Sequence, residues 1–182
     1  MATNMKATIA QALGRLMTQK DVDKITVTDI VESCNISRQT FYYHFQDMTQ
    51  VMEWSLQQIM QDTLQKSLKA TEPEDAIKIF IDEVLKNRFF VNKLLDSQRR
   101  KQIELMLVTA LQTYLHEIAD NKLPRLDIEP EDLDLTLRFY SFAIGGIILE
   151  MVLYENSDSE IVAKKLVKIM ELHCPHIQNN HV

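Results

Sequence analysis

Glycine and proline are scarce in this 182-residue chain, with three of the first and four of the second. Sheets joined by tight turns draw on both, so a strand-rich fold is disfavoured and long helices are expected. Cysteine is scarcer still. Cys34 and Cys174 are too few for a disulfide framework, and a reducing cytoplasm is the expected compartment. No charged segment followed by an apolar block opens the chain, so no signal peptide is expected. The longest charge-free apolar run, "FYSFAIGGIIL" from Phe139 to Leu149, has 11 residues and meets Glu150, which is short for a membrane span. Missing too are a nucleophile–base–acid set, a glycine-rich phosphate loop and a metal-ligand cluster. An enzyme, a cofactor and a bound metal are therefore not expected.

What is present favours helices. Apolar residues make up 46% of the chain, enough for a core, and Leu, Met, Gln, Lys, Glu and Ala dominate. The formal charge of −6 is unevenly spread. Residues 1–50 hold five basic and five acidic side chains, while residues 51–182 hold 15 and 21. The neutral first segment permits contact with a polyanion without demanding it.

Periodicity orders the N-terminal third. Met5, Ile9, Leu13, Leu16 and Met17 make one apolar helical stripe, ended by "QKDVDK". Thr26 caps a short second helix, with Asp29 as its acidic partner. Cys34-Asn35-Ile36 suits only a tight turn, and Asn tolerates a left-handed backbone there. Ser37 caps a third helix on which Phe41 and Phe45 share an inner face. Gln39 and Tyr43 point away, flanked by Thr40 and Tyr42, with Arg38 and His44 nearer the edges. Asp47 and Gln50 have capping-box spacing for a fourth helix running to about Lys69. Further helices are expected over Glu74–Asn87, Ser97–Ala119, Glu131–Tyr154 and Ser159–His173. "RFFVNKLL" reads as a short apolar piece and "DNKLPRLDIEPED" as a loop, with Pro130 suited to a first helical position.

Helix, short helix, tight turn and capped helix together form a helix-turn-helix pattern. No Asp or Glu lies between Ser37 and Gln46, as a helix approaching phosphates requires. Gln39 suits adenine, and Arg38 suits guanine or phosphate. Ser37, Thr40, Tyr42 and Tyr43 offer hydroxyls to phosphates, and the helix starts at Thr26 and Ser37 offer positive dipole ends. His44 serves equally as a contact or as a local packing residue. The expected DNA-binding residues are Thr26, Thr28, Ser37, Arg38, Gln39, Thr40, Tyr42, Tyr43 and His44.

The stretch "ITVTDIVESCNISRQTFYYHF" followed by "QDMTQVMEW" resembles the TetR family of bacterial transcriptional regulators. The match rests on Val27, Ile30, Ser37 and Tyr42-Tyr43-His44-Phe45, and covers about residues 5–60. The "RQTFYYHFQD" version resembles the branch typified by dihydroxyacetone-kinase regulators. One departure is Met48, where the family usually carries a phosphate-binding lysine; Met48→Lys is expected to tighten DNA binding. The resemblance implies an all-α chain, with a helix-turn-helix DNA-binding domain over 1–48 and a helical regulatory and dimerisation domain over 49–182. It implies a homodimer on a pseudo-palindromic operator, a repressor released by a small-molecule effector. The alternative is a regulator answering to a protein partner. No membrane partner is expected.

For the second domain, Phe142, Gly145, Gly146, Leu149, Leu166 and Ile169 are the expected dimer contacts, because Glu131–Tyr154 is apolar almost all round. Both glycines also fit packing within the chain. Trp54, Phe89, Phe90, Met106, Tyr114 and Tyr140 are candidates to line an effector cavity, against plain core packing. Arg99-Arg100-Lys101 reads as a solvated basic stretch, "HCPH" at His173–His176 as tail, and Cys34 as a small buried residue.

Overall fold

The computed structural model describes residues 5–122, 129–154 and 158–173, and all regular structure among them is helical. Nine α-helices are described: α1 Met5–Met17, α2 Val27–Cys34, α3 Arg38–His44, α4 Met48–Ser67, α5 Pro73–Lys86, α6 Arg88–Leu95, α7 Arg100–Lys122, α8 Pro130–Tyr154 and α9 Ser159–His173. The chain separates into two compact units. The first is Met1–Ile59 with Phe89–Met106, and the second is Met60–Arg88 with Leu107–Val182.

In the first unit, Ile9, Ala12, Leu13 and Met17 of α1 are buried, and so are Ile30 and Val31 of α2 and Phe41 of α3. The α1 stripe thus seats on the two shorter helices, which are too short to be stable alone. Leu94, Leu95 and Ile103, from α6 and the start of α7, are buried in the same unit. "QKDVDK" does more than end α1, since Val22–Lys24 is a 3-10 turn with Val22 buried. Its acidic neighbour Asp23 reaches the corner between α6 and α7. There its carboxylate accepts the Gln98 N–H at 2.8 Å and the Arg99 guanidinium at 3.0 Å. Arg100 pairs with Glu104 at 2.7 Å, so two members of the basic stretch are held by carboxylates. A cleft of about 290 Å³ opens here, lined by Asp21, Val22, Asp23, Lys24, Lys93, Asp96, Ser97 and Gln98.

In the second unit, α5 packs on α9 and α8. Pro73 opens α5, Glu74 and Asp75 sit in its first turn and Lys86 in its last, in keeping with the helix dipole. The Phe80 and Tyr114 rings pack tilted at 47°, with 4.7 Å between centroids. The buried Tyr114 hydroxyl donates to the Ala76 carbonyl at 3.1 Å, as does buried Ser67 at 3.2 Å, so neither polar group is stranded. Burial pushes the Tyr114 phenol up to about 12. α8 is long and apolar enough to cross a membrane by length and composition, over Glu131–Tyr154 and not just the 11-residue run. One side of it is packed and the other exposed. Leu137, Tyr140, Ser141, Ile144, Ile148, Met151 and Val152 are buried, and Arg138 pairs with Asp134 at 2.9 Å along its surface.

Some boundaries differ from expectation. α7 starts at Arg100, after the Asp23-capped corner, and runs to Lys122; "RFFVNKLL" is a helix of its own. Residues 123–128 of the expected loop lie outside the described residues, and so does "HCPH" beyond His173.

Candidate nucleic-acid interface

The site is built from two caps and a left-handed turn. Thr26 and Asp29 form a capping box at the start of α2. The Asp29 carboxylate accepts from the Thr26 N–H and hydroxyl, both at 2.7 Å, and the Thr26 oxygen accepts the Asp29 N–H at 3.3 Å. Lys20 binds the other Asp29 oxygen at 2.7 Å. Lys20 and then these Thr26 bonds hold the Asp29 carboxyl down at about 2. The Thr26 hydroxyl proton is therefore committed to Asp29, and this residue, expected to face DNA, acts here as a cap.

Asn35 ends α2 at φ 52°. The Ile36 N–H reaches Val31 O at 3.0 Å and the Asn35 N–H reaches Glu32 O at 3.2 Å, the two bonds of a Schellman turn. That reversal sends the chain into α3. Ser37 accepts the Thr40 N–H at 3.0 Å, and the two hydroxyls share a hydrogen bond at 2.9 Å. Ser37 and Thr40 thus fix the helix start.

Phe41 and Phe45 anchor α3, with 0% and 3% of their surface exposed. Their rings lie 6.2 Å apart, and Trp54 packs edge-on to Phe45 at the same distance. The opposite face is open. Tyr43 is 84% exposed and Tyr42 54%, and Arg38 and Gln39 are exposed beside them. His44 stands edge-on to Tyr43 at 5.0 Å. Arg38 donates to the Thr28 hydroxyl at 2.7 Å, which ties the start of α3 to α2 and brings Thr28 into the group. No side chain on α3 carries a negative charge.

The entry to α4 is capped as its spacing suggests, with one change. Asp47 accepts the Gln50 N–H at 2.9 Å, but Gln50 returns its bond to the Gln46 N–H at 2.8 Å, not to that of Asp47. Met48 is buried, so a lysine there has to bend its ammonium out from a packed position.

The expected effector-lining residues fall in both units, with Phe90 beside Phe89 in the first. Trp54, Phe89 and Met106 belong to the first unit, Tyr114 and Tyr140 to the second. Trp54 packs on the Phe45 anchor, Phe89 is 53% exposed with Lys93 over its ring, and Tyr114 is spent on Phe80 and Ala76. Of the expected dimer contacts, Leu166 is turned inward, and Gly145 sits where an added Cβ would touch Leu111 at 3.6 Å. Gly146 faces open space, Phe142 and Ile169 are exposed, and Leu149 is half-buried. Sequence reasoning missed Leu135, Phe139 and Leu153, which are also exposed on α8.

A capped, aromatic-anchored helix with an exposed acid-free face, set by a left-handed turn behind a second helix, defines a helix-turn-helix regulator. Comparison with known proteins narrows the class. Residues 9–53 match the model of bacterial regulatory proteins of the tetR family, and residues 71–172 match that of a transcriptional regulator C-terminal region. The chain belongs to the TetR family of transcriptional regulators. It is 22% identical over 151 residues to the HTH-type dhaKLM operon transcriptional activator DhaS of Lactococcus lactis subsp. lactis (strain IL1403), covering 82% of this chain and 80% of that one. Among solved structures, the dihydroxyacetone kinase operon activator DhaS superposes with a TM-score of 0.70 at 19% identity, covering 97% of this chain and 99% of that one. The TetR family repressor AlkX from Dietzia sp. strain DQ12-45-1b gives 0.61 at 16% identity, covering 93% and 97%. These likenesses bear on the fold.

Proposed function

We propose that the chain binds a pseudo-palindromic operator as a homodimer, in the cytoplasm, with one α3 in each of two successive major grooves. The observation that carries this is the outward face of α3: Tyr43 is 84% exposed on a helix whose other face is fully buried and which holds no acid. Arg38, Gln39, Tyr42 and Tyr43 are assigned to DNA, with Thr28, Ser37, Thr40 and His44 supporting the face. Thr26 is assigned to capping.

The pairing surface follows from α8. Leu135, Phe139, Phe142, Gly146, Leu149 and Leu153 recur at three to four residues and so share one stripe. Four of its side chains are more than 40% exposed: Leu135, Phe139, Phe142 and Leu153. An apolar stripe of this length on a water-exposed helix supports a second copy as its cover. In the default reading the protein is a repressor released by a small-molecule effector. Likeness to an operon activator favours activation as a second reading of the sign, and a protein partner is the alternative to a small-molecule effector.

The test is fluorescence-anisotropy titration of duplex from the region upstream of the gene against a scrambled duplex, with wild type and Tyr43→Ala. Preference for the native duplex, lost in the variant, is expected. Equal weak binding to both would leave only a general polyanion contact and overturn operator recognition there. Transcription from the same duplex in vitro, with and without the protein, gives the sign of regulation.

A further inference from the structure

In the DNA-binding reading above, the corner where α3 ends and α4 begins lies beside the duplex, and it carries no positive charge of its own. From Phe45 to Gln50 the only ionised side chain is that of Asp47, and Met48 is buried. A cation arrives from elsewhere in the fold. The Lys6 ammonium of α1 lies 5.4 Å from the centroid of the Phe45 ring, the residue that closes α3. We infer that Lys6 is a DNA-backbone contact and supplies this corner with its phosphate-binding charge. The inference rests on the DNA-binding reading above, and Lys6 lies outside the residues 9–53 that match the family model.

Charge accounting separates Lys6 from Lys20 and Lys24, while Arg15 and Arg38, bonded only to hydroxyls, keep their charge as Lys6 does. Lys20 is neutralised by Asp29 at 2.7 Å and Lys24 by Asp21 at 3.2 Å. Arg38 spends a donor on Thr28 at 2.7 Å, and Arg15 reaches Ser33 at 3.5 Å. Lys6 is held by a ring face, and no carboxylate among the described residues neutralises it. An aromatic face orients an ammonium without cancelling its charge, so the ion stays available to an anion. Scale supports the placement. The seven residues of α3 span about 10 Å, and the major groove is about 12 Å wide. A helix of that length fits within the groove, and Lys6 stands at the end marked by Phe45.

The experiment measures affinity against salt concentration for wild type, Lys6→Gln, Lys6→Arg and the ion-paired control Lys20→Gln, on native-upstream and scrambled duplexes. Each lost phosphate contact lowers the slope of log K against log salt by about 0.9. Lys6→Gln is expected to lower the slope by about one per protomer and to weaken binding to both duplexes about equally, as phosphate contacts are blind to sequence. Lys6→Arg keeps the wild-type slope. A slope unchanged in Lys6→Gln, even with weaker binding, would mark a packing role and overturn the inference alone. A wild-type protein whose duplex binding has no salt dependence would instead contradict the DNA-binding reading beneath it.

Discussion

At the scale of single residues, the turn before α3 depends on Asn35. A left-handed backbone costs an ordinary L-residue about 1–2 kcal/mol, and Asn tolerates it better than most. Asn35→Ala should therefore lower unfolding stability by about 1 kcal/mol in urea titration, while Asn35→Gly should stay near wild type. A larger loss in the glycine variant would mean that the Asn side chain itself holds the turn. Asp29 gives a pH signature. Its carboxyl is lowered from 3.8 to about 2 by Lys20 and Thr26, so its contribution is present above 3.8 and lost as pH falls through about 2. Wild type should melt above Asp29→Asn near neutral pH, and the gap should close over that acid range; a gap constant with pH would contradict the pairing. Both residues were legible in the sequence, because caps and turns are local chemistry. The ring contact of Tyr114 on Phe80 was not, since Tyr114 there satisfies a carbonyl that only tertiary packing brings to it.

At the scale of elements, α1 to α4 and the anchor pair Phe41 and Phe45 could be read from spacing alone. The grouping of α6 and the start of α7 with the DNA-binding helices could not. It depends on Asp23, which accepts from Gln98 and Arg99 far along the chain, and neither end of that contact leaves a periodic signal. The same contact explains why α7 begins at Arg100 and not at Ser97. Asp23→Ala removes both bonds. With the partly exposed ion pair discounted for solvent, the loss should be about 1 kcal/mol. Hydrogen exchange should show the Gln98 amide opening faster in the variant. Unchanged protection there would mean that the corner is held by its apolar neighbours Leu94, Leu95 and Ile103 alone. The Lys6–Phe45 contact leaves no signal for a related reason: Phe45 lies just beyond the end of α3, and the α1 stripe marks only which residues are buried.

At the scale of the whole molecule, the apolar excess of α8 pointed to a covered surface but not to which side was covered. A helix apolar all round has no sequence signal that separates its buried face from its exposed face. Burial makes the separation, with Leu137, Ile144 and Ile148 on one side and Leu135, Phe139 and Phe142 on the other. Among the expected pairing residues, Leu166 is buried within the chain and Gly145 is half-buried beside Leu111. Phe142→Glu should therefore fold but sediment as a monomer, and should lose operator affinity through loss of paired heads. A dimer that survives Phe142→Glu would place the interface on another surface. Operator recognition as proposed needs two α3 faces reading one duplex. The most direct test is selection of binding sites from a random duplex library by wild type and by Gln39→Ala. The account predicts two related half-sites whose centres are about 10 bp apart, with base preference relaxed at one matching position in each half in the variant. Selection of no common sequence, or of one that Gln39→Ala leaves unchanged along with Tyr43→Ala, would contradict it.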